Sequence, residues 1–202
     1  MIMIILILYM RSKHAKLVDG SLREENPNVL HALTKSSAPP ALVWGVKTSF
    51  RRYLRTAGGT IEVEAPATED GFFFVFPVVS DADSTDGDSE RAVQFTGSVH
   101  FSAHFGALDF SLSDPAIVVR HSAIWLTVAS ASSPAGRAER LMIALLTSGP
   151  DHTAAERTEA GQIEFWPVLT AEGSHLFGDV YPTETMFDPL YVPRSVIDSA
   201  SQ

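Results

Sequence analysis

Apolar positions change their spacing along this chain, and the spacing predicts its elements. From Trp44 to Leu54, the residues Val46, Phe50, Tyr53 and Leu54 recur every three to four positions, the period of a helix with one buried face. Gly58-Gly59 supplies its stop. Beyond it the pattern shortens to that of strands, over Thr60–Ala65, Gly71–Pro77, Ala92–Phe101, His104–Leu112, Ala116–Arg120, Ala123–Ala129, Arg140–Leu146 and Gln162–Leu169. Gly, Asp, Ser and Pro separate them, which favours an antiparallel β-sandwich or a barrel-like domain. Thr170–Phe177 reads as a second short helix, with Thr170 as N-cap and Gly178 beyond its end. Upstream, Asn26-Pro27 opens a helix through about Lys35, and residues 36–40, SSAPP, end it. The expected fold is therefore mainly β with two or three short helices. The domain spans residues 41–195, between an N-terminal extension (1–40) and a C-terminal tail (196–202).

Composition narrows the classes. Of 202 residues, 45% are hydrophobic and 19% charged, enough apolar material for a core. Lys and Arg number 15 against 24 Asp and Glu, a net charge of −9 without basic blocks. Nucleic-acid affinity depends on cations that neutralise phosphates, so no nucleic-acid partner is expected. With no Cys, thiolate metal sites and cysteine nucleophiles are excluded. Residues 1–10, MIMIILILYM, are half the ~20 apolar residues that span a bilayer, and Arg11, Lys13 and Lys16 follow them. A secretory signal carries its charge before the apolar run and a small-residue cleavage site after it. This N-terminus is thus not a convincing signal. Three readings stay open: the remnant of an export signal, an apolar terminus docked on the fold, or a weak membrane contact.

Candidate chemistry is sparse. The stretch 81–90, DADSTDGDSE, has Asp86 where a calcium loop needs its sixth-position Gly, and reads as a solvated hairpin loop. No G-x-S-x-G elbow occurs, so a serine hydrolase has no specific support. Alternation over Val99–Phe105 places His100, Ser102 and His104 on one strand face. At ~3.3 Å per residue the two histidines stand ~13 Å apart, too far to chelate one metal. In the first helix Ser49 and Tyr53 are four apart and share a face. By periodicity alone Tyr53 reads first as a core aromatic whose hydroxyl has found a partner.

Several ordered motifs nevertheless resemble the HtaA-type haem-binding domain family of high-GC Gram-positive bacteria. They are the run Leu42–Leu54 (LVWGVKTSFRRYL), Gly58-Gly59-Thr60-Ile61, Phe74-Val75-Phe76-Pro77, Val93–Phe101 (VQFTGSVHF), His104–Asp109 (HFGALD), Asp114-Pro115, Leu169–Gly173, Phe177-Gly178, Tyr181 and Asp188-Pro189. Together they extend from Leu42 to about Tyr191. The resemblance implies a β-rich domain, not an enzyme, that binds one ferric haem and passes it to other haem-binding proteins of a cell-envelope or secreted uptake relay. It implies Tyr53 as axial ligand of the haem iron, His104 as hydrogen-bond partner of that phenol, and Ser49 and Tyr181 as propionate contacts. One departure stands out: the residue before the late tyrosine is often aromatic in the family, and here it is Val180.

The ligand set is chemically coherent. A phenolate is a hard anionic donor that favours ferric over ferrous iron. Free Tyr ionises near pH ~10, so ligation near neutrality needs the ferric charge and a His hydrogen bond. Phe50, Phe101, Phe105 and Phe177 divide between core and porphyrin wall in ways the sequence leaves open, and Lys47 and Arg51 between solvated charges and propionate contacts. The alternative function is a non-haem β-sandwich interaction or adhesion module of the cell envelope.

Overall fold

In the computed structural model, residues 40–79, 91–130, 139–148 and 161–199 are described. The apolar run 1–10, the expected helix 26–35 and the acidic stretch 81–90 lie outside the described residues. Strand β1 (Ala41–Trp44) is buried at every position, because it sits inside a large antiparallel sheet between β4 (Phe73–Pro77) and β12 (Leu190–Pro193). A strand covered on both faces shows no alternation. That is why the spacing rule draws Trp44 and Val46 into the following helix. Instead the chain turns at Val46, whose φ of 65° is left-handed, and helix α1 begins only at Thr48, ending at Thr56.

The large sheet has nine strands, in the order β3 (Thr68–Asp70), β4, β1, β12, β11 (Gln162–Leu169), β10 (Arg140–Thr147), β9 (Ala123–Ala129), β8 (Ala116–Arg120) and β5 (Arg91–Gln94). Its far ends approach each other: Val78 bridges to Phe95, and Thr96 N donates to Pro77 O at 2.9 Å. The sheet thus curls toward closure, which protects edge strands. A second sheet of three strands, β2 (Thr60–Glu64), β6 (Ser98–Ala103) and β7 (Leu108–Ser113), completes the framework. Among the described residues the fold is mainly β with two antiparallel sheets and three helices, α1, α2 (Ala171–Leu176) and α3 (Arg194–Ser199), as the strand spacing implies. Among the described residues no helix is long and apolar enough to cross a membrane, which says nothing of strands.

Local differences have physical causes. The expected strand Ala92–Phe101 is two strands in different sheets, broken at Gly97, whose φ is 110°. A Cβ there would stand 2.4 Å from Ala67 N. Asp114 fixes the crossing by accepting from Gly97 N at 3.0 Å. Three short elements escape the pattern: β3 has too few residues, and β12 and α3 follow directly on one another. Helix α3 crosses the expected start of the tail, and its Val196 packs into the core. Helix α2 matches expectation, with Thr170 Oγ1 accepting from Gly173 N at 3.0 Å.

Phe50 of α1 occupies the centre of the core. Its ring meets Phe101 of β6 at 5.4 Å, Phe110 of β7 at 5.9 Å and Phe177 beyond α2 at 5.7 Å. Phe101 also meets Phe74 of β4 at 5.8 Å, so the two sheets share one aromatic cluster. Edge-to-face contacts of this kind add to the burial of large rings.

Replacing Gly97 with Ala should destabilise the protein by about 3 kcal/mol or more, because left-handed strain adds to a backbone collision. Gly58→Ala, also at positive φ but with nothing within 4 Å, should cost only about 1 kcal/mol. Urea unfolding of the two variants measures the difference.

Candidate functional site

Helix α1 carries two of the four expected site residues, and its start is fixed from far along the chain. Lys47 stands at the N-cap position without a capping oxygen. The cap comes from Asp188, whose Oδ2 accepts from Thr48 N and from Thr48 Oγ1, each at 2.6 Å. Trp44 Nε1 donates to the Asp188 carbonyl at 3.0 Å. The loop before β12 therefore sets the register in which Ser49 and Tyr53 follow, one turn apart.

His104 reaches the same place by leaving its strand. β6 ends at Ala103, and residues His104–Gly106 form a 3-10 turn with φ values of 53°, 56° and 86°. Left-handed conformations at two consecutive non-glycine residues are strained and occur where the surroundings hold them. This corrects the expected strand from His104 and the shared face of His100, Ser102 and His104. His100 stays on the strand and bonds Asp109 Oδ1 at 2.8 Å. His104 bonds Tyr53 instead, through Nε2 and the phenol oxygen, across 51 residues of sequence. The two ring centroids are 5.7 Å apart.

The remaining expected residues join this pair. Tyr181 is buried in the core at 1% exposure, and its phenol interacts with the exposed Ser49 hydroxyl and feels the charge of Tyr53. Ser49, Tyr53, His104 and Tyr181 thus form one neighbourhood between α1, the β6–β7 turn and the segment after α2. Burial raises both phenols: Tyr53 above the ordinary tyrosine value, and Tyr181 to about 12, where the Ser49 hydroxyl opposes the shift and Asp188 and Tyr53 add to it. Both phenols are neutral near pH 7.

The aromatic and cationic candidates now separate. Phe50, Phe101 and Phe177 are core, each at 2% exposure or less, whereas Phe105 projects fully into solvent beside His104. Val180 and Leu176 are half-buried on the edge of the core. Arg51 is buried and committed, bonding Glu69 Oε1 at 2.6 Å and the Phe72 carbonyl, with its guanidinium 4.6 Å from the Phe74 ring. It holds α1 against the β3–β4 hairpin. Lys47 is half-buried, donating to Met186 O at 2.9 Å. A shallow cavity of 440 Å³ beside Ile124, Leu145 and Phe165 lies apart from all four site residues. Among the described residues no group of three His, Cys, Asp or Glu side chains forms a metal cage.

Sequence reasoning missed Asp188 as the remote cap, since a cap is sought beside its helix. Its only sequence signal was the Asp188-Pro189 motif.

The fold and this cluster define a small β-rich domain with a phenol–imidazole pair at its edge. The HtaA family model matches residues 40–193, and the chain belongs to the HtaA family. Among solved structures, the N-terminal domain of HtaA from Corynebacterium glutamicum is similar at 27% identity and a TM-score of 0.58, over 77% of this chain and 97% of that one. The C-terminal domain of the same protein has 24% identity and a TM-score of 0.53, over 76% and 94%. The heme-binding protein HtaB of that organism has 22% identity and a TM-score of 0.51, over 75% and 90%. The last two likenesses are of fold. No curated protein sequence matches the chain.

Two measurements follow from the geometry. Removing the remote cap in Asp188→Ala should lower stability by about 1 kcal/mol, read by urea unfolding. Tyr181 ionises at about 12 in the native state and near ~10 in the unfolded chain. Its contribution is complete below pH ~10 and is lost as pH rises toward the native value. Tyr181→Phe should therefore flatten the fall of stability across that alkaline window, seen in urea melts at successive pH values.

Proposed function

We propose that this protein binds ferric haem through Tyr53 and hands it on within a cell-envelope or secreted haem-uptake route. The observation that carries this reading is the bond between Tyr53 and His104, two residues brought together only by a strained turn. Membership of the HtaA family and the likeness to the N-terminal HtaA domain support it.

The residues suit such a ligand. Tyr53 is neutral in the free protein, and His104 Nε2 is placed to take its proton. The resulting imidazolium then donates to the phenolate, which keeps lone pairs for a hard ferric ion. Porphyrin sites need apolar walls and a few polar anchors. Phe105, Val180 and Leu176 supply the first, and Ser49 with Tyr181 anchors a propionate. A phenolate without a second strong ligand favours ferric haem, so reduction loosens the complex. The haem is cargo, and the protein is not an enzyme.

The test is the visible spectrum of ferric haem mixed with wild type, Tyr53→Phe and His104→Ala. Wild type should give the Soret and weak charge-transfer bands of tyrosinate-ligated ferric haem. Tyr53→Phe should lose them, and His104→Ala should keep them with affinity reduced about tenfold, the worth of one charge-assisted hydrogen bond. Spectra of wild type and Tyr53→Phe that both equal haem in buffer would overturn the reading in favour of an interaction or adhesion module.

A further inference from the structure

Of the cations on and beside α1, one is placed unlike the others. Arg52 and Arg55 are exposed, and Arg51 is ion-paired with Glu69 and donates to the Phe72 carbonyl. Lys47 is half-buried, yet it forms no ion pair with any described residue. Its ammonium donates once, to Met186 O, and lies 5.9 Å from the Tyr181 ring centroid and 5.3 Å from that of Phe187. An ammonium has three donors, so two remain without a described acceptor. The nearest influential carboxylate is Asp188, and its Oδ2 is already held by Thr48.

Taking an ammonium out of water is unfavourable unless an anion compensates it. Aromatic faces return only part of the loss. Burial accordingly lowers the Lys47 pKa from its ordinary value, with Asp188 opposing. The helix start beside it adds further positive potential. The ammonium therefore lies beside the Tyr181 ring with its charge only partly compensated by Asp188 and with spare donors, the chemistry that recognises a carboxylate.

We propose that Lys47 is the charge partner of a haem propionate, making this end of the site selective for porphyrins that carry a free carboxylate. The proposal rests on the haem reading and extends it from the iron to the acid edge. Ser49 and Tyr181 orient that carboxylate through hydroxyl groups, and Lys47 neutralises it.

The experiment titrates wild type, Lys47→Gln and Lys47→Arg with ferric haem and, separately, with its dimethyl ester, whose carboxylates carry no charge. Lys47→Gln should weaken haem binding about tenfold, the worth of one charge-assisted bond. It should leave ester binding unchanged, so that the wild-type preference for the free acid disappears. Lys47→Arg should keep that preference and controls for a folding defect. Equal losses for both ligands in Lys47→Gln, or no loss for haem, would overturn the proposal and leave Lys47 as a brace for the Met186 loop. Failure of wild type to bind either ligand would instead overturn the haem reading, and this inference with it.

Discussion

The packing of Phe50 is the constraint on which the rest depends. One ring on α1 touches a ring from each of β6 and β7 and another from the segment after α2. Rings in a close-packed interior have few alternative arrangements. Fixing Phe50 therefore fixes the rotation of α1, and with it the directions of Ser49 and Tyr53 on either side along the helix. The site borrows its rigidity from the core: Tyr181 belongs to both, meeting Phe177 at 6.3 Å and Phe187 at 5.1 Å while its phenol interacts with Ser49.

The β6–β7 turn works against local preference. His104 and Phe105 adopt left-handed conformations that glycine takes more easily, and Phe105 gains no burial in return. Pairing of β6 with β7 runs up to Ala103 and Leu108, immediately on either side, and holds the turn in place. The result is an imidazole delivered to Tyr53 and an aromatic side chain left in water.

Polar groups around α1 show the same division of labour. Asp188 satisfies the helix start, and Arg51 ties the helix to the β3–β4 hairpin. Lys47 keeps donors that no described acceptor fills. Arg51 is ion-paired with Glu69, whereas the half-buried Lys47 forms no ion pair with a described residue and sits beside the Tyr181 ring.

The sequence by itself determined the class of fold, because strand and helix periods follow from which side chains must leave water. It also determined the family, because ordered motifs persist along the chain, and it named Ser49, Tyr53, His104 and Tyr181 through them. Periodicity alone ranked Tyr53 as a core aromatic and kept His104 on a strand face with His100, since backbone strain is invisible to a count of apolar positions. Only tertiary structure separated Phe105 from Phe50, Phe101 and Phe177, and Lys47 from Arg51. Only it showed Asp188 capping a helix 140 residues away. Burial and charge compensation depend on what the chain brings together from a distance, and one residue's neighbours in sequence do not record that.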